Sequence, residues 1–453
     1  MIGSVTSYLL ERAWVDGAVH DDVRVEIEGG RFTAVQLRGR VGRFEGDTTP
    51  TKRPNPRLGG ESDTPARLPG LTIPGLANCH SHAFHRALRG RTQRGRGTFW
   101  TWREQMYDVA GRLDPDSYFL LARATYREMV AAGMTSVGEF HYLHHQPDGT
   151  PYDDPNAMGH ALVAAAREAG LRITLLDTCY LSAGFGKPLE GVQRRFEDGD
   201  VDGWAERIST LHDAEGSRIG GAFHSVRAVP RDQMRRHTAS PLHLHLSEQR
   251  AENEQCLAEY GLTPTQVVAE AGHLTPHTTL VHATHLTDDD IALIGRAGVY
   301  ADFCPTTERD LGDGIGPSRA LHDAGARLTL GSDSHAVIDL FEEMRAVELD
   351  ERLASEQRGH WSAAELLTAA TATGHESLGW DDAGAIAVGQ RADLVTLDLV
   401  SPRTAGSGAD EHTAVFAAGA ADVTQVMVDG RIVSVDRTQI GRELADAIAA
   451  VWG

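Results

Sequence analysis

A chain of 453 residues exceeds one average domain, which predicts one large core with a smaller companion. Its net charge of -21 argues against nucleic acid or an anionic membrane surface as a partner, because holding many phosphates needs a broad cationic face. Hydrophobic residues make up 41% but never form a run long enough to cross a bilayer, so a membrane-spanning protein is also excluded.

The opening Met-Ile-Gly-Ser-Val-Thr-Ser lacks the basic region and apolar block of a secretory leader, which makes the cytoplasm the expected compartment. Cys79, Cys179, Cys256 and Cys304 are widely separated, with no pair at zinc-finger or redox spacing, so no disulfide framework is expected. From Val5 to Gln36, apolar and polar residues alternate around the turns Val15-Asp-Gly17 and Glu28-Gly-Gly30, the period-two pattern of half-exposed strands. Residues 1–70 therefore read as part of a small β domain, with residues 41–68, rich in Gly, Pro, Thr, Asp and Arg, as a flexible surface loop.

Between residues 71 and 384, short apolar runs alternate with Ala- and Leu-rich helical stretches, which is how parallel β/α units are written. The runs are Leu71–Ala77, Ser136–His141, Arg172–Thr178, Gly220–His224, Leu242–Leu246, Thr279–His282, Val299–Phe303 and Arg327–Leu330. Eight units predict an α/β fold of the (β/α)₈ TIM-barrel type; a doubly wound open sheet is the alternative. Over 385–453 the alternation returns in Ala392–Asp398 and Val423–Val433, with an Asp429-Gly430 turn and a last helix near Gln439–Val451. Both ends of the chain are thus expected to build one β-sandwich into which the barrel is inserted.

The chemistry clusters at the ends of the predicted barrel strands. His80 and His82 follow the first run, and residues two apart in a strand point to the same side, so both imidazoles would aim at one point. A lone His-x-His is more often a polar pair in an exposed loop. Here His245, His282 and Asp333 close three further runs, and polar residues at barrel strand C-termini face the catalytic mouth. His243 lies two residues before His245 and meets the same spacing rule; His245 is preferred because it is nearer the strand end and Glu248 follows it.

Three imidazoles and a carboxylate suit Zn²⁺, with Fe²⁺ a competitor, and an ion so held lowers the pKa of water toward neutrality. The expected division of labour has Asp333 as ligand and base, Glu248 protonating a departing nitrogen, and His282 polarising the reacting centre. Taken alone, Glu248 would read as a carboxylate at a helix start.

Together with Pro74-Gly75 and the closing Gly384-Ala-Ile-Ala-Val-Gly-Gln-Arg-Ala-Asp-Leu-Val395, these residues resemble the amidohydrolase superfamily over almost the whole chain. His245-Leu-Ser-Glu248 is similar to its deaminase branch. Asn78–Arg86, Phe99–Glu104, Glu139-Phe-His-Tyr142 and His224-Ser-Val-Arg227 resemble the formimidoylglutamate deiminases. Many binuclear relatives use a carbamylated lysine, and neither Lys52 nor Lys187 falls at a barrel strand end, so one ion per chain is expected.

The resemblance implies hydrolysis of N-formimidoyl-L-glutamate to N-formyl-L-glutamate and ammonia in histidine degradation, by a homodimer. It also implies a dianionic substrate held by His85, Arg103, Tyr142, His224 and Arg227, and forked Arg donors suit two carboxylates. His85 stands where that family has glutamine. The competing readings are a deaminase or chlorohydrolase acting on a purine, pyrimidine or triazine ring, and a catalytically dead interaction protein on the same fold.

Overall fold

The computed structural model describes residues 5–37, 65–94 and 96–453. Near the N-terminus, β1 (Thr6–Val15), β2 (Ala18–Glu28) and β3 (Arg31–Gln36) form an antiparallel meander in which Val23, Val25 and Ile27 alternate inward. The β1–β2 turn places Asp16 and Gly17 at φ of 51° and 80°, the left-handed pair that a two-residue hairpin needs.

Next comes β4 (Ala66–Pro74), which pairs in parallel with β1 and antiparallel with β13 (Leu394–Leu397); β14 (Val423–Val428) and β15 (Arg431–Val433) complete a seven-stranded sheet. The edge of β3 meets the chain ahead of β13 through an Arg31–Arg391 bridge, so the sheet wraps around Leu10, Val23, Val25, Phe32, Ile386, Leu394 and Met427.

Two expectations change here. Of the loop expected over 41–68, residues 41–64 lie outside the described residues, while β4 already begins at Ala66. The run Leu71–Ala77 is not one barrel strand. Its first part, through Pro74, pairs in the terminal sheet, and the barrel strand begins at Leu76. Both parts are apolar because both are buried, so composition gave no boundary. Gly75 is the joint, and a Cβ there would collide with the Thr135 hydroxyl.

The barrel strands are β5 (Leu76–Ser81), β6 (Met134–His141), β7 (Arg172–Cys179), β8 (Ser217–Phe223), β9 (Leu242–Leu246), β10 (Thr278–His282), β11 (Tyr300–Phe303) and β12 (Arg327–Leu330). Neighbours pair in parallel in this order. A Ser81–Asp333 bridge and the His80 carbonyl, which accepts from Ser332 and Asp333 N–H at 3.1 and 3.0 Å, draw β12 back to β5. This is a (β/α)₈ barrel with a separate sheet made by the two ends of the chain.

Helices cover the strands, which are buried on both faces as parallel strands must be. Arg172, buried at the start of β7, bonds Asp393 and Asp429 and ties the barrel to the terminal sheet. The last helix, Arg437–Trp452, lies on helix Pro115–Ala131 through Ala124, Ala131, Ile440 and Leu444. Among the described residues no helix is long and apolar enough to cross a membrane.

Candidate active site

The site forms where β5 meets β12, at the C-terminal mouth of the barrel. His80 lies in β5 and His82 immediately after it, with Nε2 atoms 3.1 Å apart. His245, in β9, brings its Nε2 to 3.0 Å from that of His80. Asp333 follows β12 and places Oδ1 3.3 Å from His82 Nε2 and 3.6 Å from His80 Nε2. All four are buried. His243 faces away and contacts the Ser377 carbonyl at 3.4 Å.

Tautomers show what this cluster needs. His82 Nδ1 lies 2.9 Å from the Phe140 carbonyl and His245 Nδ1 2.9 Å from the His224 carbonyl. A carbonyl only accepts, so each Nδ1 carries the proton and each Nε2 presents a lone pair. Burial, reinforced by the neighbouring imidazoles, holds His80 and His245 far below the usual histidine range, so they are neutral. Burial opposes ionisation of Asp333, yet His82, His80 and His282 outweigh it and hold the carboxyl well below its ordinary value. Two fixed lone pairs, a third neutral imidazole and a carboxylate converging at hydrogen-bond distance fit a divalent cation. The nitrogen-rich set suits zinc, and iron by the same chemistry.

Next to this cluster, His282 at the end of β10 is held by carboxylates on several sides. Its Nδ1 lies 3.3 Å from Glu308, and its Nε2 lies 3.9 Å from Glu248 Oε1 and 3.7 Å from Asp333 Oδ2. Burial pulls this imidazole down, but Glu248, Glu308 and Asp333 together raise it well above the usual value. The Glu248 carboxyl is pushed up, chiefly by burial. Ser247, His282, Ala283, Asp333 and His335 all have positive φ without being glycine, a concentration of backbone strain at these strand ends.

A narrow cavity opens beside the cluster, and His82, His245, Glu248, His282 and Asp333 all line it. So do His85, Arg103, Tyr142, His224 and Arg227. His85 Nε2 lies 3.2 Å from the Tyr142 hydroxyl, and its ring sits 4.5 Å from that of His82, between the cluster and the cavity. Arg103 donates to Tyr107 at 2.5 Å and Tyr180 at 3.3 Å. Arg227 is buried, forms no ion pair among the described residues, and leaves its Nε without a partner. Phe99, Trp102, Met106 and Tyr107, from helix Phe99–Ala110, cover the cavity on one side.

Sequence reasoning passed over several residues here. Glu308 follows no strand run, and Tyr107, Tyr180 and Gln193, which support Arg103, carry no spacing signal. Glu139 and Ser81 fall within two of the family-like motifs, but only the folded barrel joins them, at 2.7 Å.

The amidohydrolase family pattern matches residues 71–433. A formimidoylglutamate deiminase from Pseudomonas aeruginosa is 38% identical over 403 residues, covering 84% of this chain and 88% of that protein. The crystal structure of an amidohydrolase from Brucella melitensis superposes with a TM-score of 0.85 at 30% identity, over 99% of this chain and 100% of the other. An adenosine deaminase from Xanthomonas campestris with bound zinc shares the fold, with a TM-score of 0.79 at 23% identity over 99% and 98% of the two chains. The chain belongs to the amidohydrolase family and is a hydrolase acting on C–N bonds.

Proposed function

We propose that the enzyme hydrolyses N-formimidoyl-L-glutamate to N-formyl-L-glutamate and ammonia, as a step of histidine degradation. The observation that carries this reading is the polarity of the cavity. Arg103 and Arg227 line the same pocket as Glu248, His282 and Asp333, and Arg227, though near Glu248 and Glu252, makes no direct ion pair among the described residues. A buried guanidinium whose donors lack partners is costly, and a substrate carboxylate supplies them. The 38% identical deiminase supports the same substrate.

In this reading His80, His82, His245 and Asp333 hold one Zn²⁺, with Fe²⁺ as the alternative. Such an ion supplies Lewis acidity and makes water more acidic. Asp333 accepts the proton of the water that adds to the formimino carbon. His282 hydrogen-bonds the reacting centre, and Glu248, whose carboxyl burial pushes above its ordinary value, delivers a proton to the departing nitrogen. His224, Tyr142 and His85 complete the pocket around the glutamate moiety, and the two arginines take its carboxylates in forked pairs. A histidine at 85 still offers one donor or one acceptor in place of the family's glutamine.

The rings of Phe99, Trp102, Tyr142 and Tyr180 also line the cavity and favour a second reading, deamination of a flat purine or pyrimidine ring. Ammonia release from formimidoylglutamate, guanine, cytosine and adenosine decides between them. Turnover of formimidoylglutamate alone is the expected result, and turnover of a ring alone contradicts it. We also propose a cytoplasmic homodimer. Four free, buried cysteines agree with a reducing compartment, and solution mass tests the dimer.

A further inference from the structure

Glu139, on β6, is fully buried and forms no ion pair among the described residues, yet it does not line the cavity. Its Oε1 accepts from Ala83 N–H at 2.6 Å and its Oε2 from the Ser81 hydroxyl at 2.7 Å. The Ser81 oxygen in turn lies 3.1 Å from His335 Nε2. With Ser81 donating to the carboxylate, its oxygen accepts from His335 Nε2–H, and the chain of hydrogen bonds has one direction.

This chain crosses the closing seam of the barrel. Ser81 sits between His80 and His82, and His335 lies two residues beyond Asp333. Beyond it, the seam is held by the Ser81–Asp333 bridge, two N–H groups on the His80 carbonyl, and the Asn78–Ser332 side-chain pair. Asp333 and His335 have φ of 37° and 56°, conformations that persist only where their surroundings enforce them. The histidine pair from one side of the seam and the aspartate from the other must meet within a few tenths of an ångström to share one ion.

We propose that Glu139, Ser81 and His335 form a positioning relay that sets how tightly His80, His82, His245 and Asp333 hold their ion. It rests on the metal reading above. Glu139 is a positioning residue because it acts through Ser81 and Ala83 and touches neither substrate nor ligand atoms. Its charge matters as well as its shape. A glutamine there accepts from Ala83 on its carbonyl and turns its NH₂ toward Ser81. Ser81 must then donate to His335, which reverses the tautomer and leaves a buried Nδ1–H without a partner.

The test uses the full chain, measuring the Zn²⁺ dissociation constant by chelator competition and the visible spectrum after Co²⁺ loading. Glu139→Gln should weaken Zn²⁺ by about 10–100-fold and shift the Co²⁺ bands. Ser81→Ala should do the same, the double variant should add little, and Glu139→Asp should recover part of the affinity. A change in melting temperature with Zn²⁺ affinity within about twofold of the parent and an unaltered Co²⁺ spectrum would mean a purely structural role and overturn the relay. Should Glu139→Gln fail to fold, Ser81→Ala decides the question by the same two readouts. A parent chain that binds no ion would sink the metal reading itself, whereas normal binding by both parent and variants sinks only the relay.

Discussion

The barrel buries two clusters of histidine and aspartate with similar composition. One, at the mouth, is His80, His82 and His245, with Asp333 3.3 Å from His82; the other is His141, His144 and Asp177, between β6–β7 and the outer helices. In the second, Asp177 already receives two bonds from Arg207 at 2.8 Å and one from Trp204 at 3.0 Å. Its charge is spent on a guanidinium that would repel a cation, and no member of the cluster lines the cavity. In the first, no arginine or lysine pairs with Asp333 among the described residues, and histidine lone pairs face it. Ligand-type residues within reach of one another do not make a metal site. What distinguishes the two clusters is whether a guanidinium already occupies the aspartate.

The largest effect should come from breaking that contrast directly. His245→Ala should lose the ion and activity together, while His144→Ala should keep both, as metal analysis and an ammonia assay of each purified variant will show. Glu248→Gln should separate chemistry from binding by lowering kcat by about 10²–10⁴-fold with the metal content intact. An unchanged rate would remove Glu248 from the proton path. Arg227→Ala should act mainly on KM, raising it by about 10–100-fold through loss of a charged hydrogen bond. Loss of metal without a binding defect would mean the arginine supports the cluster and not the substrate.

The smallest effect is a pH dependence in the second cluster. Burial, with Arg207 adding to it, lowers His144 to about 4 from an unfolded value of about 6.5. The unfolded chain then binds more protons across that window, so the contribution is full above about pH 6.5 and is lost as pH falls toward 4. At 1.36 kcal/mol per unit, the drop from pH 6.5 to 5.5 is about 1 kcal/mol. His144→Gln should flatten this part of the stability curve in denaturant titrations, and an unchanged slope would show that His144 is not the group responsible.

How far the sequence reaches differs between these regions for the same reason. His80, His82, His245, His282 and Asp333 each end an apolar run, so a period-two reading places them on one rim without any knowledge of pairing. Arg103, Tyr142 and Arg227 were legible only through family resemblance, because an arginine in a helix or loop carries no positional signal, whereas His224 ends the run Gly220–His224 but took its role from the resemblance. The fate of Asp177 was hidden, since it depends on Arg207, 30 residues later, on a helix whose packing is a tertiary fact. Glu139 was hidden in the same way. The barrel itself was legible because parallel strands buried on both faces are written as unbroken apolar runs, and that same property blurred the joint at Gly75.

The most direct measurement is anomalous scattering at the zinc edge from crystals of the zinc-loaded protein. One peak per chain is predicted, enclosed by His80 Nε2, His82 Nε2, His245 Nε2 and Asp333, with no density above noise among His141, His144 and Asp177. A peak in the second cluster, or none at the first, would contradict the assignment of the catalytic centre.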